Sequence, residues 1–239
     1  MSLASDSNLP LVSIIVITYN SSPYIIETLK SIKKQSYQKI ELIISDDFSK
    51  DNTVELVSSW LSHKEHVSAL VSYKFVKNSI NLGISGNCNS GLKECTGDWI
   101  KLIAGDDILL PDCVSEFVKF SNKNSDAKLL VSSLTYFNND INFSLRKWPL
   151  FRFPTNLQSQ LKLQLKGGFI KAPAVFMNRQ LLLDVGGFDT KYPFFEDDPL
   201  WLKFLSNGNL FHFVPHCLVG YRQHDQAISN GKSLGYINP

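Results

Sequence analysis

The chain predicts an α/β fold, a mostly parallel central sheet flanked by helices, and three observations carry that expectation. Apolar, β-branched runs of strand length alternate with helical segments through the first half. The runs are continuous rather than alternating, as in strands covered on both faces. Two acidic pairs, Asp46-Asp47 and Asp106-Asp107, stand where strands should end, the edge at which open α/β sheets take their ligands.

The first strand is expected at 11–17, LVSIIVI, and the turn TYNSSP at 18–23 leads through Pro23 into a helix ending near Lys34. A second strand, IELIIS at 40–45, runs into Asp46-Asp47. Ser49, Asp51 and Thr53 then offer caps for a helix whose Val54, Val57 and Leu61 share one face. A third strand is expected at 69–76, a helix at 85–95 and a fourth strand at 99–104. A helix at 111–122 and a strand at 128–136 follow, after which the regular alternation fades; residues 210–214 again look strand-like.

With 239 residues and 44% hydrophobic content, the chain has enough apolar side chains for a sizeable core. Residues 1–9 are expected to be a tail outside the fold and 10–239 a single domain, divided into halves at 110/111. A net charge of +2, from 24 basic and 22 acidic residues, argues against nucleic acid as a partner. Cys88, Cys95, Cys113 and Cys217 form no CxxC pair, which fits free thiols in a reducing compartment. No run has signal-peptide or membrane-span character, so the expected location is cytoplasmic. Residues 141–183 lack acids and interleave cations such as Lys147, Arg152 and Lys162 with Phe143, Trp148, Phe151 and Phe153. Two readings stand: a core segment with solvated cations, or a peripheral contact with the inner membrane face.

Six motifs, IIVITYN at 14–20, SDDFSKDNT at 45–53, NLGIS at 81–85, GDWI at 97–100, GDD at 105–107 and GGFD at 186–189 followed by Glu196-Asp197, together resemble the family 2 inverting glycosyltransferases of the GT-A fold. The order and spacing match the family over roughly residues 10 to 225. The resemblance implies a nucleotide-sugar donor, a UDP-sugar first, and a divalent cation, Mg²⁺ or Mn²⁺. It also implies transfer with inversion to an acceptor hydroxyl of a surface polysaccharide or lipid-linked glycan. Residues 10–110 become the nucleotide-binding half and 111–239 the acceptor-binding half.

Residue by residue, the resemblance places Asp197 as general base with Glu196 beside it. Thr18, Tyr19, Asn20, Asp46 and Asp47 fall in the base and ribose pocket, while Asn81, Gly83 and Asn89 approach the donor. Asp106 and Asp107 fall on the metal motif, with His224 as a further ligand and Arg222 on the diphosphate. Turn or helix capping remains the alternative for Asp46, Asp47, Asp106, Asp107, Glu196 and Asp197. Ala104 stands where the family often has a further aspartate, Cys88 where it often has a basic residue, and Pro199 interrupts the usual continuation after the acidic pair. These departures keep a catalytically silent sugar-binding module as a rival. A sugar nucleotidyltransferase is a second rival, disfavoured because no glycine occurs in TYNSSP.

Overall fold

The computed structural model describes residues 9–141, 146–149 and 152–225. The expected tail, but for Leu9, therefore lies outside the described residues, as do Phe143 and Phe151 and the end of the expected domain after 225.

The first half builds four parallel strands, β1 (Val12–Thr18), β2 (Ile40–Asp46), β3 (Ser72–Lys77) and β4 (Trp99–Ala104), in the spatial order β3-β2-β1-β4. Between them run α1 (Ile25–Lys33), α2 (Thr53–Ser62), the short α3 (Lys64–Val67) and α4 (Gly83–Leu92). The fourth strand occupies the expected residues; the third starts later, at Ser72, because it is the sheet edge and its Tyr73 faces solvent. Helix α4 begins two residues before the expected start. The Asn81 side chain accepts the Gly83 N–H at 3.0 Å and so opens the helix there.

The second half adds β5 (Ile108–Leu109), α5 (Cys113–Lys123), β6 (Leu129–Phe137), β7 (Arg146–Trp148), α6 (Leu157–Leu165), β8 (Val175–Asn178), α7 (Arg179–Asp184), α8 (Asp198–Ser206) and β9 (Phe211–Arg222). The sheet continues β4-β8-β6-β9-β5, with β7 on β6 and antiparallel pairs at β4-β8, β8-β6 and β9-β5. Three residues separate β4 from β5, yet β5 closes the far end of the strand order. The sheet must therefore curl back on itself, and this curl carries the end of β9 to the end of β4.

The strand expected to stop at Val214 continues to Arg222. Pro215 has no N–H to donate, and the ladder with β6 skips it: Ser132 pairs with Val214 and Ser133 with Cys217. A bulge thus absorbs the residues that looked like a terminator.

At the opposite, N-terminal edge, buried Glu41 accepts from the Ser13 hydroxyl, from Thr96 N at 2.6 Å and Oγ1 at 2.7 Å, and from Gly97 N at 2.8 Å. Burial alone would raise its carboxyl pKa, but these hydrogen bonds hold it below the ordinary value. A depressed folded pKa contributes stability above the unfolded value, about 4.3, that is lost as pH falls through the folded one. Glu41→Ala should cost about 1–3 kcal/mol at pH 7. Urea unfolding at pH 7 and at pH 3 should show the gap to wild type narrowing in acid.

Candidate active site

Parallel pairing sets Thr18 opposite Asp46 and Ile17 opposite Ala104, so the ends of β1, β2 and β4 lie side by side. Thr18 Oγ1 donates to Asp46 Oδ2 at 2.8 Å, and the Ser49 N–H and hydroxyl donate to the same carboxylate at 2.9 and 2.5 Å. Asp46, 1% exposed, holds the turn as the Asx alternative described. Asp47 Oδ1 accepts from Leu82 N at 2.8 Å and Asn78 Nδ2 at 3.2 Å. Burial first, and the charge of Asp46 in addition, raise its pKa against these hydrogen bonds.

Between them, Phe48 has a left-handed φ of 67° and Asn20 one of 51°. Asn20 Oδ1 accepts from Lys50 N at 2.8 Å, and Ser21 N donates to Thr53 Oγ1 at 2.8 Å, stitching the β1 and β2 turns together. Tyr19 has 49% of its surface open, and Phe48 is also exposed. The two acids expected to meet the nucleoside are therefore buried in the turns, next to the exposed rings of Tyr19 and Phe48.

Asn87 was not singled out in the sequence, yet it ties this edge together. Its amide donates to Thr18 O at 3.3 Å and Ser45 O at 3.0 Å and accepts from Ser45 Oγ at 2.6 Å. Its only sequence signal is a polar residue on the sheet-facing side of a helix.

Asn81, Gly83 and Asn89, expected to approach the donor, lie just before and within α4. Gly83 has a φ of 74°, and a Cβ there would lie 2.7 Å from Pro193 O, so only glycine fits. Asn89 exchanges hydrogen bonds with Phe188, Nδ2 to its carbonyl at 2.7 Å and Oδ1 from its N–H at 3.0 Å. These contacts fix the segment that leads to Glu196 and Asp197.

Asp197 caps α8, with Oδ1 accepting the Asp198 N–H at 2.7 Å, and Pro199 fits the first turn of the helix. The departure at Pro199 therefore leaves the helix start in place. Burial, then the charge of Asp197, push Glu196 up to about 8; burial, then Asp198, raise Asp197. The thiol of Cys88 within α4 is fully buried and its pKa is driven up, first by burial and then by the charges of Glu196, Asp197 and Asp47. Carboxylates from the turn after β2 and from the start of α8 thus flank the same helix, and Cys88 is an inert core thiol. Trp201 is buried and packs against Phe204 and Phe211.

At the end of β4, Asp106 Oδ2 lies 2.9 Å from His224 Nε2, and the His224 ring packs on Tyr24 at 4.7 Å between centroids. Asp107, expected to be a ligand, is buried and accepts the Arg222 N–H at 2.8 Å, while its carbonyl accepts from Thr28 Oγ1 at 2.7 Å. Arg222, expected on the diphosphate, is 3% exposed. Its Nε donates to Asp106 O at 2.7 Å and an Nη to Asn138 O at 2.9 Å; the other Nη pairs with Glu27. Its guanidinium lies 4.7 Å from the Tyr24 ring centre and 4.4 Å from that of Phe137. As placed, Arg222 is a tie across the curl of the sheet that sets Asp106 and His224. Arg222→Lys, which cannot reproduce this fork, should cost about 2 kcal/mol, less than a fully buried pair because Glu27 is half exposed. A lower urea midpoint with unchanged m-value would check it.

In 141–183, Trp148, Phe153, Phe169 and Phe176 are buried while Lys147, Arg152, Lys162 and Lys166 are exposed. The core-segment alternative describes these residues. No helix among the described residues is long and apolar enough to cross a membrane.

The sequence profile of glycosyl transferase family 2 matches residues 13–186. A glycosyltransferase of uncharacterized activity from Haemophilus influenzae is 29% identical over 234 residues, covering 93% of this chain and 68% of the relative. A similar relative from Rickettsia typhi is 26% identical over 232 residues, 92% of this chain and 66% of its own length. Among solved structures, S. aureus TarS 1-349 in complex with UDP-GlcNAc superposes with a TM-score of 0.74 at 20% identity, over 91% of this chain and 60% of that one. The mannosyltransferase PcManGT from Pyrobaculum calidifontis, in complex with GDP-Man and Mn²⁺, gives 0.68 at 20% identity, over 92% and 59%. This chain thus spans between 59% and 68% of these relatives' length. With most of its length matched by the family profile and its curled sheet shared with GT-A enzymes, the chain belongs to glycosyl transferase family 2 and is a glycosyltransferase.

Proposed function

We propose that this glycosyltransferase takes a UDP-sugar with a divalent cation, Mg²⁺ or Mn²⁺, and moves the sugar with inversion to an acceptor hydroxyl deprotonated by Asp197. The observation that carries the proposal is the Asp106–His224 pair, set by the curl of the sheet beside the ends of β1 and β2. An octahedral cation with bonds of about 2.1 Å has ligand edges of about 3 Å, and the carboxylate and imidazole atoms stand 2.9 Å apart. Among the described residues no cluster of three or more His, Cys, Asp or Glu could hold an ion. Two protein ligands would leave the remaining positions to donor phosphate and water. When bound, the cation would neutralise charge on the leaving diphosphate.

The protein's own residues supply the rest. Tyr19 and Phe48 offer rings to a nucleobase, and the turn around Asp46 and Asp47 offers polar backbone to the ribose. Asp197, raised and half-buried, is suited to accept the acceptor's proton as the bond to the anomeric carbon forms. The acceptor belongs to a surface polysaccharide or a lipid-linked glycan.

Thermal unfolding with UDP at about 100 times its Kd should raise Tm by about 5–10 °C in Mn²⁺. A shift of equal size in EDTA would contradict the cation's role, and no shift with any nucleotide would contradict the donor reading.

A further inference from the structure

The segment before Glu196 carries three consecutive-turn aromatics that the core leaves open: Tyr192, Phe194 and Phe195 are 50%, 50% and 44% exposed. A loose loop is not the reason. The Ser85 hydroxyl donates to Tyr192 O at 2.7 Å, Ser85 N–H to Pro193 O at 3.3 Å, and Phe195 N–H to Tyr192 O at 3.1 Å. Gly83 leaves no room for even a Cβ against Pro193. The backbone is anchored to α4 while its rings project outward, a preorganised surface whose exposure has no folding benefit. It ends at Glu196 and Asp197, and on its other side a cavity of about 370 Å³ is lined by Asn89, Asp189, Thr190, Lys191 and Lys203 among others.

We propose that Tyr192, Phe194 and Phe195 form the acceptor shelf of this enzyme, and that the acceptor lays a neutral sugar ring on it. The inference deepens the proposed function and rests on Asp197 being the base. A pyranose has an apolar C–H face that stacks on an aromatic ring and hydroxyls around its rim that donate to carboxylates. Both needs are met within a few residues here. Charge decides against an anionic occupant: with Glu196, pushed up to about 8, taken as neutral, Asp189, Asp197 and Asp198 still outnumber Lys191 and the cavity's Lys203, which disfavours a phospholipid headgroup. A sugar ring on the shelf would bring its hydroxyl toward Asp197.

The test compares the wild-type chain, Phe194→Ala and the double variant Phe194→Ala/Phe195→Ala on an array of bacterial oligosaccharides, with phosphatidylglycerol vesicles as a second probe. Wild type should be captured by a subset of glycans and not by vesicles. The double variant should bind those glycans about tenfold more weakly, about 1.4 kcal/mol, at unchanged Tm and unchanged UDP affinity. The single variant should fall between, which keeps the test decisive if the double variant folds poorly. Equal capture of variant and wild type would overturn the shelf. So would a wild-type protein that binds UDP and no glycan, or one whose vesicle binding is lost on substitution. A wild-type protein that binds glycan but no nucleotide would leave the shelf standing and count against the donor reading.

Discussion

Replacing Asp197 by asparagine is expected to lower kcat by about 10²- to 10⁴-fold while nucleotide affinity stays within about twofold. Asparagine caps a helix as well as aspartate does, so α8 should start as before and the loss reports chemistry rather than folding. Single-turnover transfer and equilibrium UDP binding on the same variant separate the two. The pH profile gives a sharper version. A base works only when deprotonated, so kcat should fall as pH drops through the pKa of Asp197, which burial and then Asp198 raise from its ordinary value. Asp198→Asn removes the second cause and should move this acid limb to lower pH, with the Gln164 contact to that side chain retained. A limb that stays fixed would mean another group titrates.

The second large effect is expected at Asp106. Asp106→Ala leaves His224 as a single protein ligand and should weaken Mn²⁺-dependent UDP binding by about a hundredfold, with little change in the metal-free affinity. Asp107→Asn is the informative comparison. Its side chain still accepts the Arg222 N–H, so Mn²⁺-dependent binding should drop by far less than for Asp106→Ala. Calorimetry with and without Mn²⁺ reads both. Equal losses would return Asp107 to the metal.

The difference between these neighbouring aspartates was not legible in the sequence, because it depends on β9 arriving beside β5. The parallel half was legible: its strands are continuous β-branched runs whose burial on both faces leaves a local pattern, and β4 fell on the expected residues. The curl of the sheet leaves no such pattern. A two-residue strand and a strand bulged around Pro215 carry almost no periodic signal, yet they bring Arg222 and His224 to Asp106. The resemblance supplied these residues without their geometry, so Arg222 was expected on a phosphate and stands as a buried tie between Glu27, Asn138 and Asp106. Asn87 and the Tyr192–Phe195 rings were invisible for a related reason: a polar residue in a helix and aromatics in a loop acquire meaning only from what packs beside them.

The central claim is that carboxylates from separate strands and a helix start meet at one edge of the sheet around a cation and a nucleotide diphosphate. Anomalous difference density from Mn²⁺ in a crystal grown with UDP tests it most directly. The account predicts one peak within about 2.3 Å of Asp106 and His224, with the diphosphate on it and the uracil near Tyr19. A peak elsewhere on the chain, or UDP seated without metal away from Asp106, would contradict it.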